Sequence, residues 1–446
     1  MKVNRSSRVS DESMQIQPLL CVLLSVVWCL SLLPARADDL NSFLPGVTLI
    51  EGKDASFLQG QSLSAFRVYA LHDDELTAIP FQIDKRDARD RWMLDQGPHQ
   101  NQGNLTEEFD ANDAVVVMNR DFGCQASPMQ LPKGAKVWAE IRVGDAAHPL
   151  GFAYLAAFDT PPPLPQQDFA YARYVPETDR VYAERYSLAF GAPLPTHLAF
   201  VNQLGELGTN LIAGVRAIGE VRFLKGLFTL RRTDENIQTE IQNYRQGAVR
   251  AIRRARYWIP LPLGLRTTGR VDLLFYRDFV EGTALIKVKF PPRLVLADGE
   301  LRTYFRFLDL SGARLLLEGT QIDDPIDGHM TPAKQALTGR PAQWAGLLLP
   351  NGRVLLLIVR LDGALRQLDQ RLYFDDNTST EKERGGKPLF GFEFSRVNQI
   401  ETGVHRLSVF AVILDNATSE EISRAARWFL SPPKVSVAPL KEETFR

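Results

Sequence analysis

Apolar and polar residues alternate along much of this sequence, and this period of two constrains the fold more than any other feature. In Lys136–Val143, the residues Val137, Ala139, Ile141 and Val143 fall on one side of an extended chain. A strand with one buried face has this pattern, because successive side chains point to opposite faces of a sheet. Further apolar or alternating runs, separated by turn residues, are found at Ala65–Leu71, Ala114–Met118, Gly151–Ala157, Ala284–Phe290, Arg353–Val359 and Arg406–Leu414. The sequence therefore predicts a mostly β protein.

One segment near the C-terminus has helical periodicity instead. Thr418 and Glu421 match the S/T-x-x-E capping box that begins many helices. Apolar residues then recur on one helical face, at Ile422, Ala425, Ala426 and Phe429. Two prolines follow, and proline does not continue a helix. We therefore predict a short C-terminal helix over Ser419–Leu430.

The N-terminus carries the features of a cleavable export signal. Leu19–Leu33 is an uncharged apolar run, shorter than the ~20 residues that a bilayer-spanning helix requires. Basic residues precede the run, and Ala35 and Ala37 follow it with the A-x-A spacing of a cleavage site. We predict a signal peptide over residues 1–37 and an exported chain that begins at Asp38.

Cysteine content and charge narrow the compartment and the partners. Cys21 and Cys29 fall in the predicted signal peptide, so the exported chain keeps only Cys124 and cannot form an internal disulfide. Neither Cys21 nor Cys29 lies in a lipobox, which argues against a lipid anchor. Export without disulfides favours a bacterial periplasmic or secreted protein over a eukaryotic secreted module. The 52 Lys and Arg nearly balance 53 Asp and Glu, which argues against nucleic acid as a partner. No later apolar run is long enough to predict a membrane span after cleavage.

A proline-rich stretch divides the remaining sequence. Thr160–Gln167 reads TPPPLPQQ, which favours an extended connection because proline cannot donate to a sheet. We predict a linker at 159–167, an N-terminal β-sandwich domain at 38–158, and a larger two-sheet domain at 168–446 that ends with the short helix.

Carboxylates cluster in the first predicted domain. Oxygen ligands in loops are the type that Ca²⁺ prefers. The candidate metal ligands are Asp84, Asp87, Asp90, Asp110, Asn112 and Asp113. Their spacing does not match an EF-hand, and Lys85 and Arg86 supply counter-charge among them. The alternative is a hairpin loop with local ion pairs and Asx turns; no other cofactor is indicated.

A basic and aromatic stretch follows in the second domain. In an extended chain, Arg250 and Arg254 share one face, and Arg253 and Tyr257 fall on the other. Arginine next to aromatic rings suits carboxylated or hydroxylated polymers. The candidate ligand-binding residues here are Arg250, Arg254, Tyr257 and Trp258. The alternative is a strand whose arginines pair with nearby acids.

Three further segments contribute candidate ligand-binding residues. The first carries Tyr276, Arg277 and Asp278, and the second carries Arg306. The third is the Gly- and Pro-containing loop around His329, which has the composition of a lid. For the first two segments, the alternative is that these side chains lie on the surface of a sheet without binding a ligand. For the third, the alternative is an ordinary surface loop.

Two pairs of segments resemble known families. Ile79–Asp84 and Phe109–Met118 (IPFQID and FDANDAVVVM) resemble a pattern of secreted bacterial β-proteins. Tyr244–Trp258 and Val271–Val288 resemble the sugar-mutarotase-like supersandwich, in which a Gly-x-Val-Arg strand crosses to a long neighbouring strand. This resemblance implies a supersandwich-like second domain and contact with carbohydrate, and it transfers no catalytic residue.

Three functions are compatible with these features. The sequence lacks H-E-x-x-H, G-x-S-x-G and Walker A motifs, which favours a non-catalytic exported binding or accessory protein of the bacterial cell envelope that contacts carbohydrate. One alternative is a polysaccharide-active enzyme of the lyase or epimerase type, with Tyr276, Arg277, Arg250 and His329 as the residues to test. The other is an envelope assembly protein that binds another protein through edge strands.

Overall fold

The computed structural model describes residues 44–440, with gaps at 100–105, 146, 165–169, 192, 203, 224–225, 261–265, 289–290, 295, 319, 322 and 378–386. The predicted signal peptide and residues 165–167 of the predicted linker lie outside the described residues. Within these ranges the protein is mostly β, with antiparallel strands in five sheets and two α-helices. The predicted fold class is therefore confirmed, including the short C-terminal helix.

The N-terminal unit consists of two packed sheets. Its strands are β1 (Val47–Glu51), β2 (Phe66–His72), β3 (Glu75–Ala78), β4 (Gln82–Asp84), β5 (Ala114–Met118), β6 (Ala135–Gly144) and β7 (Pro149–Phe158). One sheet has the order β1-β5-β4, and the other contains β6-β7-β2-β3. Val115 and Val117 of the first sheet pack in one buried cluster with Val68, Ile141 and Leu155 of the second.

The rest of the chain supplies twenty described strands and both helices. The strands are β8 (Ala172–Val175), β9 (Arg180–Ala183), β10 (Tyr186–Gly191), β11 (Leu194–Val201), β12 (Leu207–Asn210), β13 (Ile212–Phe223), β14 (Phe228–Thr233), β15 (Gln238–Gln246), β16 (Ala251–Pro260), β17 (Arg266–Phe275), β18 (Phe279–Val288), β19 (Leu296–Phe307), β20 (Arg314–Leu317), β21 (Thr320–Gln321), β22 (Trp344–Leu348), β23 (Arg353–Leu361), β24 (Asp369–Asp375), β25 (Leu389–Ser395), β26 (Gly403–Asp415) and β27 (Val435–Pro439). The helices are α1 (Pro332–Gln335) and α2 (Ser419–Leu430).

A nine-stranded sheet organises this larger unit. Its order is β15-β16-β17-β18-β26-β23-β22-β20-β21, and two five-stranded sheets have the orders β14-β13-β19-β25-β24 and β12-β11-β10-β9-β8. Tyr257 and Leu273 of the large sheet share one buried cluster with Phe305 and Phe392 of one smaller sheet and with Leu188 of the other. One face of the nine-stranded sheet, which we call the inner face, therefore forms the main core.

The opposite, outer face is covered over part of its area. Leu274 and Phe410 of this face cluster with Ala425 of α2 and with Val116 and Met118 of β5. The helix thus buries the apolar side that its sequence predicts, and the N-terminal unit packs beside it. Beside this covered area, the outer face carries polar residues such as Asp272, Thr283 and Arg360, and a cleft lies over them.

The N-terminal unit includes one strand from the C-terminal part of the sequence. β27 pairs with β6, with Val437 opposite Ile141, so this sheet combines strands that are distant in the sequence. The domain boundaries drawn at 158 and 168 stay predictions. Across the described ranges, we find no helix with the length and apolar character needed to cross a bilayer.

Candidate functional site

A cleft of about 510 Å³ lies between the outer face of the nine-stranded sheet, the N-terminal unit and the end of α2. Gly46, Glu51 and Trp92 line it from the N-terminal unit, and Trp428 and Phe429 line it from α2. Its volume is within the range of about 300–1,000 Å³ that small-molecule sites occupy. The cleft is therefore large enough for a sugar-sized ligand.

A row of five polar residues crosses the sheet beneath the cleft. The register of neighbouring strands places Arg254 opposite Asp272, and Asp272 opposite Thr283. It then places Thr283 opposite Ser408, and Ser408 opposite Arg360. Asp272 accepts two hydrogen bonds of 2.6 Å from Arg254. Five adjacent strands thus present a continuous line of hydrogen-bonding groups, of which Asp272, Thr283 and Arg360 line the cleft.

The next row along the same strands is apolar except at one position. It consists of Ile252, Leu274, Glu281, Phe410 and Ile358. Glu281 accepts a hydrogen bond of 2.8 Å from the hydroxyl of Thr283. Among the residues that the structure describes, no cation lies within ion-pair distance of Glu281, so its charge is available to a ligand.

Aromatic rings close one end of the cleft. The ring of Phe429 packs against Phe279 and Phe410, with ring centres 5.1 and 5.0 Å apart. Arg360 lies over Phe410 at 5.3 Å and donates a 3.0 Å hydrogen bond to the carbonyl of Phe429. The cleft therefore has an apolar aromatic wall beside a polar floor.

A buried ion network holds the N-terminal unit against the floor. Arg250 donates from Nε to Asp84 at 2.8 Å and from Nη1 to the Tyr276 hydroxyl at 2.6 Å. Asp84 also accepts hydrogen bonds from Arg245 and Gln82. Burial alone favours the neutral acid, but Arg250 and Arg245 outweigh it and hold the pKa of Asp84 below its ordinary value. This network therefore keeps Asp84 and Arg250 charged although neither is in contact with water.

Trp92 forms a side wall whose position is fixed by the same network. The guanidinium groups of Arg86 and Arg250 lie over its ring at 4.1 and 4.3 Å. Its carbonyl accepts a 3.0 Å hydrogen bond from Arg254. Cation–π contacts of this kind contribute about 0.5–2 kcal/mol each, so the ring is held in place before any ligand arrives.

The turn before β16 depends on close packing of Gln82. The side-chain oxygen of Gln82 accepts the backbone N–H groups of Val249 and Arg250 at 3.2 and 3.0 Å. A Cβ atom on Gly247 would overlap the Gln82 amide. The amide cannot move aside freely, because Gln82 is buried and bonds three partners.

We predict that Gly247→Ala lowers the free energy of unfolding by about 1–3 kcal/mol, as overpacking of a buried site does. Urea unfolding followed by tryptophan fluorescence checks this value. The control is Gly346→Ala, because Gly346 is a buried glycine without a positive φ, where a Cβ atom would lie 3.5 Å from its nearest neighbour. An effect of Gly247→Ala no larger than that of Gly346→Ala would contradict the prediction.

The structure brings some of the predicted ligand-binding residues together and separates others. Arg250 lines the cleft and donates a hydrogen bond to the buried Tyr276 hydroxyl, and Arg254 binds Asp272 in the polar row. Tyr257 belongs to the inner face and is fully buried in the main core. Trp258 is half-buried on the outer-face side of β16 and donates its indole N–H to Gln238.

Arg277 and Asp278 belong to a second charged cluster. Arg277 donates to Glu184 at 2.8 Å and lies 3.3 Å from Asp278. Burial raises the pKa of Asp278 and of Glu184. Burial also raises the pKa of nearby Asp121 to about 6. Arg277 forms ion pairs with Glu184 and Asp278. None of the residues of this cluster lines the cleft described above.

Arg306 and His329 lie in other parts of the molecule. Arg306 is on β19, in a five-stranded sheet, opposite Leu389. His329 is exposed in its loop and lies 3.7 Å from Asp327. The predicted set of ligand-binding residues therefore does not form one site.

The six predicted metal ligands are mostly occupied by protein partners. Besides the buried Asp84, Asp113 binds Lys85 at 2.8 Å, and Asp90 binds Arg86 at 2.9 Å. Asp87 accepts the backbone N–H of Arg89, Asp110 accepts that of Asn112, and Asn112 is itself exposed. Over the described residues, no group of three or more His, Cys, Asp or Glu side chains is arranged to hold a metal ion. Calcium binding by this segment stays a prediction.

Sequence reasoning did not single out several residues of the cleft and of the polar row: Arg270, Glu281, Thr283, Arg360, Arg406 and Ser408. For the four of these that lie on β18 and β26, a signal exists in the alternation of the two strands, where polar residues recur at every second position opposite the core-facing ones. That signal gives the face of each strand, but the row appears only when the pairing of distant strands is known.

Comparisons with known proteins find only distant likenesses. No family model and no curated protein matches the chain. An alpha-mannosidase from Enterococcus faecalis V583 is similar with a TM-score of 0.46 and 10% identity, over 89% of this chain and 44% of that chain. The alpha-N-acetylgalactosaminidase NagBb from Bifidobacterium bifidum gives 0.36 and 10%, over 60% and 38%. A mutant of heparan sulfate lyase HepC from Pedobacter heparinus gives 0.24 and 10%, over 41% and 22%.

This chain spans less than half the length of each of these three chains. The expected weak resemblance, without a matching characterised protein, is confirmed. The likenesses are too low to assign a ligand or an activity, so what the cleft binds must follow from its own residues.

Proposed function

We propose that this protein binds carbohydrate in the cleft over the outer face of the nine-stranded sheet. The observation that carries the proposal is the combination of an aromatic wall with a polar row on one rigid surface. Sugar rings offer apolar C–H faces and hydroxyl groups at once, and such a surface satisfies both. We further propose that the protein is an exported, non-catalytic binding or accessory protein of the bacterial cell envelope.

The preorganisation of the site supports binding. Asp272 is fixed by Arg254, and Trp92 is fixed by Arg86 and Arg250. These groups lose little conformational freedom when a ligand binds, and a preformed site therefore binds more tightly. Strands rather than loops carry the floor, which keeps the spacing between its hydrogen-bonding groups constant.

Glu281 favours a second candidate function, an enzyme that acts on the bound saccharide. It is a carboxylate on the cleft floor without an ion-pair partner among the described residues, and a general base requires such a group. Incubation of each bound saccharide with the protein, followed by chromatography of the products, separates the two functions. Product formation that disappears in Glu281→Gln would favour the enzyme.

Binding is tested by isothermal titration calorimetry of the purified protein against defined hexasaccharides. The panel contains mannohexaose, galactohexaose, cellohexaose, mannuronan hexasaccharide and oligogalacturonate hexasaccharide. We expect at least one of these to bind, and we expect Thr283→Val to weaken that binding about fivefold, as loss of one neutral hydrogen bond does.

The matched control is Thr229→Val, because Thr229 is exposed on β14 in another sheet. This control should bind as tightly as the unaltered protein. Absence of binding to every member of the panel, or equal binding by Thr283→Val and Thr229→Val, would overturn the proposal.

A further inference from the structure

Two arginines line the cleft on the same side of the polar row. Arg270 is two residues before Asp272 on β17, and Arg406 is two residues before Ser408 on β26. Both therefore belong to the outer face, on strands that are separated by β18. Two strand spacings place their backbones about 10 Å apart, so the two long side chains can reach one bound group.

These two arginines differ from the other cationic residues around the cleft. Arg86 and Arg254 are paired with carboxylates. Arg270 and Arg406 form no ion pair or side-chain hydrogen bond within the part of the chain that the structure describes. Unpaired guanidinium groups at the rim of a cleft attract an anion, and a bidentate match to carboxylate or sulfate oxygens is their strongest interaction.

The environment of Arg270 points the same way. Burial is the main cause that lowers the pKa of Arg270, and the nearby charges of Arg254 and Arg91 lower it further. Asp272 opposes this effect but is already bonded by Arg254. A bound anion would offset the free-energy cost of desolvating this guanidinium and of its repulsion by neighbouring arginines.

We propose that the cleft binds an acidic saccharide, whose carboxylate or sulfate group is held between Arg270 and Arg406. This inference rests on the carbohydrate-binding function proposed above. Glu281 lies in the row on the other side of Asp272 and Thr283, and its charge repels an anion. The acidic group of the ligand is therefore directed toward the two arginines, which leaves the uncharged face of the sugar for the aromatic wall.

Matched pairs of saccharides test the inference. Mannuronan hexasaccharide is compared with mannohexaose, and oligogalacturonate hexasaccharide with galactohexaose. Apart from the linkage, the members of each pair differ only at C5, where the acidic sugar carries a carboxylate and the neutral sugar a hydroxymethyl group. A chondroitin sulfate hexasaccharide probes sulfate. We expect an acidic member to bind at least about tenfold more tightly than its neutral counterpart, in line with charge-assisted hydrogen bonds. This advantage should shrink as salt is raised.

Arg270→Gln and Arg406→Gln should each reduce the affinity for the acidic saccharide about tenfold and leave that for the neutral one nearly unchanged. Neither change breaks an ion pair, and circular dichroism verifies the fold. Arg293→Gln removes the same charge from an exposed position outside the cleft and should have no effect.

The outcomes separate the two proposals. Neutral saccharides that bind as tightly as acidic ones overturn this inference but support carbohydrate binding. A loss of affinity in Arg293→Gln equal to that in Arg270→Gln also overturns it, because the attraction would then be non-specific. Absence of binding to any saccharide overturns both proposals.

Discussion

Asp84→Ala is expected to lower the free energy of unfolding by about 3–5 kcal/mol, the cost of leaving a buried charge without its partner. Asp84 and Arg250 are 1% and 0% exposed, so water cannot replace the lost carboxylate. Arg250 would keep its hydrogen bond to the Tyr276 hydroxyl, but that group carries no compensating charge. Chemical denaturation at neutral pH measures the change.

A double-mutant cycle separates the ion pair from the rest of the site. Arg250→Met with Asp84→Ala removes both charges, and it should cost clearly less than the sum of the two single changes. Asp298→Ala is the control, because Asp298 is a solvent-accessible partner of Arg222 and exposed pairs contribute about 0–1 kcal/mol. A cost of Asp84→Ala that is no greater than that of Asp298→Ala would refute the assignment.

The pH dependence of Asp84→Ala follows from the depressed pKa of Asp84. A carboxyl group whose pKa is lower in the folded than in the unfolded protein stabilises the fold at neutral pH. That stabilisation is lost as the pH falls below about 4, where the carboxyl of the unfolded chain takes up a proton first. The stability difference between the unaltered protein and Asp84→Ala should therefore decrease over this range.

The class of fold was predictable from local pattern because strands and capped helices are encoded by neighbouring residues. Lys136–Val143 has strict alternation and lies within β6. The capping box of Thr418 and Glu421 starts α2 as predicted. Neither feature required knowledge of any distant residue.

The site was harder to predict because its geometry depends on pairs that are far apart in the sequence. Arg250 was singled out as a candidate ligand-binding residue, but its partner Asp84 is 166 residues away. Asp84 was interpreted as a metal ligand, since the sequence shows its acidic neighbours but not the arginine that the turn before β16 brings to it. Glu281 carries no local motif, and its role follows from its position between Leu274 and Phe410 in the sheet.

Asp121 is a second carboxyl group, mostly but not fully buried, whose pKa is shifted in the opposite direction to that of Asp84. The side chain of Asp121 is 12% exposed, and burial raises its pKa to about 6. Tyr171 donates to its two oxygens at 2.8 and 2.9 Å, and Arg120 lies 4.0 Å away, but these contacts do not offset the burial. Asp278 raises the pKa further, and His72 opposes this effect. The ionised form of Asp121 is therefore unfavourable in the folded protein.

Asp121→Asn is accordingly expected to stabilise the protein at pH 7, by up to about 3 kcal/mol, since each pKa unit corresponds to 1.36 kcal/mol. The sign follows from linkage: the folded protein binds the extra proton between about pH 4 and 6, so its stability falls as the pH rises through that range. Below about pH 4 both forms are neutral at this position and should be equally stable. Asp74→Asn, in the exposed β2–β3 turn, is the control. Thermal or urea unfolding from pH 4 to 7 measures the effect, and a stability gain that does not grow with pH would show that Asp121 is ionised at little cost.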